Sequence, residues 1–84
     1  MRVNVRLFAS LREKLPGAER GRGTLELAEG ASLLDLIEQL EIRDEQAQMV
    51  LVNGEQQPRR PPQRAAVLLK EGDTVAIFPP LAGG

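Results

Sequence analysis

Polar and apolar positions alternate at the start of the chain: Val3, Val5 and Leu7 are separated by Arg2, Asn4 and Arg6. This period of two predicts a strand over residues 2–8 with one buried face. Ser10 and Glu13 have capping-box spacing and predict a short helix, SLREKL, which Pro16-Gly17 stops. The stretch AERGRG reads as a loop, and Thr24–Leu27 predicts a second strand returning beside the first. Ser32 and Asp35 repeat the capping spacing, followed by Leu33, Leu36, Ile37 and Leu40 at helical intervals. This predicts the main helix, with an apolar stripe that must lie on a sheet. In MVLVNGEQ an apolar run enters Asn53-Gly54, whose two turn positions both need positive φ, so strands flank it. Pro58, Pro61 and Pro62 each lack a backbone donor, which predicts an exposed loop from Gln57 to Arg64. KEGD then forms a turn, and Thr74–Phe78 the last strand, with Val75 and Ile77 on one face.

Two strands, a helix, two strands and a last strand give an α+β fold of the β-grasp, ubiquitin-like kind. The expected sheet is mixed, with about five strands, the main helix across one face and a short helix after the first strand. Residues 1–78 form this domain and residues 79–84 an extended tail. At 84 residues the chain is one domain, too small for a deep cleft between subdomains.

Composition narrows the chemistry. The core is aliphatic, since Phe8 and Phe78 are the only aromatic residues. A net charge of −1 gives no whole-molecule field towards nucleic acid or anionic lipid. Neither a membrane-length apolar run nor a signal-peptide block is present, so a cytoplasmic location is expected. Without cysteine there are no disulfides, thiolate nucleophiles or thiolate metal sites. Without histidine the usual general base and the commonest metal ligand are also missing. The acidic residues fall on helix faces and in turns, and Lys14 and Lys70 fall where surface is expected. The body of the domain therefore reads as catalytically bare.

The remaining chemistry lies in the ending, AIFPPLAGG. Pro79 and Pro80 cannot continue a ladder and send the chain out as a stiff, extended segment. Leu81 and Ala82 add a small apolar grip, few contacts hold the chain from Leu81 onward, and Gly83-Gly84 can thread a channel too narrow for side chains. A terminal carboxyl ionises at about 3.3–3.7, so at neutral pH it is a poor electrophile and needs activation before it can transfer anything. Chain ends also carry small residues for no functional reason. What sharpens the pattern is its place at the end of a β-grasp order of elements.

VNVRLFASLREKL, VLVNGEQ and above all LKEGDTVAIFPPLAGG resemble the small subunit of molybdopterin synthase, a ubiquitin-like sulfur carrier, over essentially the whole chain. The resemblance implies a carrier that is no enzyme on its own. In that family an E1-like adenylyltransferase consumes ATP to adenylate the terminal glycine. A sulfur donor protein supplies the sulfur of the thiocarboxylate that results. The large synthase subunit then uses that sulfur to build the dithiolene of the molybdenum cofactor. Carried over, Gly84 bears the thiocarboxylate, Gly83 completes the slender tip, and Phe78, Pro79, Pro80, Leu81 and Ala82 line the passage into the partner. The resemblance further implies a heterotetramer of two carriers and two large subunits, and no bound cofactor.

One related role and two of a different class stand beside this one: a sulfur carrier for thiamine thiazole synthesis, and either a protein modifier joined to lysines through Gly84 or a plain interaction domain. Phe8 is expected in the core, whereas Phe78, beside the tail, suits core and interface equally. Arg59, Arg60 and Arg64 are expected as solvated loop residues, with no aromatics between them for base stacking.

Overall fold

The computed structural model describes residues 1–80. Five strands form one mixed sheet: β1 (Arg2–Leu7), β2 (Arg22–Glu26), β3 (Met49–Val52), β4 (Glu55–Gln56) and β5 (Thr74–Phe78), in the order β2-β1-β5-β3-β4. β5 lies in the middle, parallel to β1 and antiparallel to β3. Helix α1 (Leu33–Gln39) supplies the cover of one face. Val3, Val5 and Leu7 from β1, Val50 from β3, and Val75 and Ile77 from β5 are buried with Leu33, Leu36 and Ile37 of α1. At about 1.5–3 kcal/mol for each large side chain removed from water, this aliphatic layer is the main source of stability.

The local signals at α1 and the hairpin operate as the sequence predicts. Ser32 Oγ accepts from the Asp35 backbone N–H at 3.1 Å, and the Ser32 N–H donates to Asp35 Oδ2 at 2.9 Å, closing a capping box. Asn53 and Gly54 hold φ of 51° and 86° between β3 and β4. The Asn53 amide also donates to Asp73 at 2.9 Å, and its oxygen accepts from the Thr74 N–H at 2.9 Å, so the hairpin is tied to the turn before β5.

Four expectations are corrected. The second strand begins at Arg22 and ends at Glu26, earlier than Thr24–Leu27, because antiparallel pairing with β1 runs from Arg2↔Glu26 to Arg6↔Arg22. Ser10 and Glu13 form no capping box. The helix there is a 3-10 helix, Ala9–Lys14, whose N-cap is Phe8, without a side-chain cap. Ala9 takes φ of 52°, a left-handed turn that a non-glycine residue adopts at a cost. That turn swings Leu11 into the core and leaves Ser10 inside the helix.

Third, Phe8 is outside the core, at 37% exposure. The period of two decides this: Leu7 points inward, so its neighbour points out. Fourth, the segment around Pro58–Pro62 is not all exposed loop. Pro61 and Pro62 open a single-turn helix, α2 (Pro61–Arg64), where their missing N–H groups cost nothing. Arg64 is only 1% exposed. Its guanidinium donates from Nε to the Pro58 carbonyl at 2.9 Å and from Nη2 to the Ala47 carbonyl at 2.8 Å, with Asp44 at 3.7 Å. Burial lowers the pKa of this guanidinium, Arg59 adds to that, and Asp44 opposes it; arginine stays charged at neutral pH regardless. Arg64 thus clamps the segment after β4 to the turn before β3.

Candidate functional site

The sheet's second face is uncovered among the described residues, and there the end of β5 is fixed from both sides. Phe8 N–H donates to the Ile77 carbonyl at 3.3 Å, and Gln48 N–H to the Phe78 carbonyl at 3.0 Å. Beyond Phe78 the two prolines offer no donor, so the ladder stops there. The tail therefore leaves from the middle of the sheet, held by a strand on each side.

Around this root lies an apolar patch. The Phe8 and Phe78 rings stack with centroids 4.1 Å apart and planes 8° from parallel. Met49 pairs with Phe78 in the β3–β5 register and is 37% exposed. Leu51, Ala76 and Pro79 extend the patch as half-buried neighbours. A small domain that leaves two large apolar side chains beside a chain exit has built a contact surface rather than lost part of its core.

Of the residues expected to act, Phe78 stands at the end of β5, Pro79 is half-buried and Pro80 exposed. Leu81, Ala82, Gly83 and Gly84, together with the expected lack of contacts beyond Leu81, lie outside the described residues. Phe8 and Met49 join this surface without having been expected there. Strict alternation after Leu7 would have found Phe8, but the Met49–Phe78 pairing depends on a register that no local pattern encodes. Among the described residues, no group of three or more His, Cys, Asp or Glu side chains is placed to hold a metal ion. No helix among them is long and apolar enough to cross a membrane. What the arrangement offers is a rigid root, a greasy collar and an exit for the last residues of the chain.

A β-grasp domain whose last strand ends beside an apolar sheet face has the build of a ubiquitin-like carrier. The ThiS family model matches residues 5–84, and the chain belongs to this family of ubiquitin-like sulfur carriers. Among curated proteins, none matches the sequence. Among solved structures, the chain is 33% identical to a Pyrococcus furiosus protein assigned as molybdopterin converting factor subunit 1, covering 95% of this chain and 98% of that one, with a TM-score of 0.66. SAMP1 from Haloferax volcanii is 22% identical over all of both chains, with a TM-score of 0.68. A chain from the complex of subunits 1 and 2 of the molybdopterin-converting factor of Helicobacter pylori is 20% identical, again over all of both chains, with a TM-score of 0.63. The last two likenesses establish the fold alone.

Proposed function

We propose that the protein is the sulfur carrier of molybdopterin synthesis, with Gly84 as the carrying residue. The observation that supports this over the other roles is the 33% identity to the Pyrococcus furiosus protein assigned as molybdopterin converting factor subunit 1, maintained over 95% of the chain. In this reading an E1-like enzyme directs a Gly84 carboxylate oxygen onto the α-phosphorus of ATP, releasing pyrophosphate and leaving an acyl adenylate. Loss of the negative charge makes the carbonyl electrophilic, and glycine leaves both its faces open. A persulfide sulfur on a donor protein then attacks the carbonyl carbon and AMP leaves, giving an acyl disulfide. A thiol cleaves its S–S bond, so the terminus becomes a thiocarboxylate and the thiol and the donor sulfur are left joined as a disulfide.

The apolar collar of Phe8, Phe78 and Met49 seats the domain on the large subunit, and Pro79 and Pro80 aim the tip into that subunit's site. The catalytic groups belong to the partners. Support for such a partner comes from the Helicobacter pylori structure, which holds subunits 1 and 2 together. A second reading, a carrier for thiazole synthesis, draws on the family's own name.

Reconstitution separates the two. Thiocarboxylated protein is mixed with a large synthase subunit and the pyranopterin precursor, and in parallel with a thiazole-forming enzyme and its substrates. Sulfur lost only in the first mixture, with dithiolene product formed, supports the molybdopterin role. Sulfur lost only in the second transfers the assignment to thiazole synthesis.

A further inference from the structure

The two ends of the β1–β2 ladder are built differently. At one end the register sets Arg2 opposite Glu26, and the two form an ion pair at 3.1 Å. At the other it sets Arg6 opposite Arg22 on the same open face. Like charges directly opposite one another on a sheet face are destabilising. The sequence therefore accepts a local cost where the other end of the same ladder shows the remedy.

Two more arginines gather at that end. Arg12, from the 3-10 helix, and Arg20, in the left-handed region at φ of 54°, line with Arg6 and Arg22 a depression of about 910 Å³. Among the described residues, Glu19 is the single acid on its wall. Among the described residues none of these four arginines forms an ion pair. The polar contact made by their side chains is a long bond of 3.3 Å from Arg12 Nε to the Ala9 carbonyl. A chain of net charge −1 has thus concentrated four unneutralised guanidiniums at one end of the open sheet face. Phe8 lines the same depression, so the basic ground runs directly into the apolar collar.

We infer that Arg6, Arg12, Arg20 and Arg22 form a docking surface for a protein partner that presents carboxylates around an apolar centre. Guanidiniums bind carboxylates through paired, charge-assisted hydrogen bonds. A partner carboxylate set between Arg6 and Arg22 converts their mutual repulsion into binding free energy, so the unstable end of the ladder is relieved only in the complex. Nucleic acid fits less well: Phe8, the neighbouring aromatic, already has one ring face covered by Phe78, and a compact depression does not track a phosphate backbone. The inference rests on the carrier reading in one respect, that a catalytically bare carrier needs a docked partner.

The test is a titration of ¹⁵N-labelled full-length protein with a synthetic Glu-Glu-Leu-Phe-Glu-Glu peptide and, separately, with an oligo-dT strand. The peptide should shift the Nε–H signals of Arg6, Arg12, Arg20 and Arg22, and the shifts should fade as salt is raised through about 0.5 M. The variant R22E places a carboxylate opposite Arg6. It should bind the peptide about tenfold or more weakly while melting about 1–4 °C higher than the parent. R6Q, which removes one charge without reversing it, should weaken binding in the same direction. Peptide affinity unchanged in both variants, no binding by the parent, or binding of oligo-dT in place of the peptide would overturn the inference. The titration uses neither ATP nor Gly84, so its failure leaves sulfur loading untouched, and a chain that loads no sulfur can still bind the peptide.

Discussion

Phe8 and Phe78 come from the ends of two parallel strands and lie face to face, 4.1 Å apart, with Phe8 still partly open to solvent. The stack joins the last residue of β5 to the first residue after β1, so the tail's root and the sheet's open face are one rigid surface. Because Phe8 is 37% exposed, Phe8→Ala should cost only about 1 kcal/mol of stability in urea denaturation. Its affinity for a large synthase subunit should fall far more, by about tenfold or greater, as expected for an aromatic anchor at an interface. Equal affinity for parent and variant would remove Phe8 from the docking surface.

Arg64 is the buried clamp of the segment that follows β4. Arg64→Ala leaves the Ala47 and Pro58 carbonyls without their donor and should lower stability by about 2–4 kcal/mol. Arg64→Lys should recover little of this, since a single ammonium cannot reproduce a planar fork aimed at two separate carbonyls. The urea midpoints of the two variants check both statements.

Gly21 holds φ of 77°, and its carbonyl accepts from the Leu7 N–H at 2.7 Å. A Cβ there would run into the Leu7 carbonyl oxygen and the Arg12 side chain. Gly21→Ala should therefore destabilise by about 2–3 kcal/mol, combining left-handed strain with a backbone clash. Gly30, also at positive φ but with open space around its Cβ position, should tolerate alanine better, at about 1 kcal/mol. A thermal melt of the two variants reads the difference.

Ser32→Ala removes one half of the capping box and should cost about 1 kcal/mol. Amide exchange should quicken at Asp35, whose N–H bonds to Ser32 Oγ, and stay unchanged in the β3–β4 hairpin.

The elements fixed by neighbouring residues were legible in the sequence. Strand β1, the Ser32–Asp35 cap, the stripe of Leu33, Leu36, Ile37 and Leu40, and the Asn53-Gly54 turn are each determined within a few positions. The errors share a different character. The scarcity of aromatics in this chain points Phe8 inward, yet the pleat after Leu7 overrides composition. Ser10 lost its capping role to a left-handed Ala9, a conformation set by the need to bury Leu11. Arg64 looked like a solvated charge because its partners, the carbonyls of Ala47 and Pro58, come from segments that meet only in the folded state. The paired prolines at the start of α2 carry two signals at once, strand breaker and helix start, and the second one operates here.

Sulfur loading at Gly84 is read from the intact mass of the protein after incubation with ATP, an E1-like enzyme and a sulfur source. One terminal oxygen should be replaced by sulfur, and a variant lacking Gly84, with an unchanged melting temperature, should gain none. No sulfur on the parent, under conditions that charge a known carrier, would contradict the carrier role.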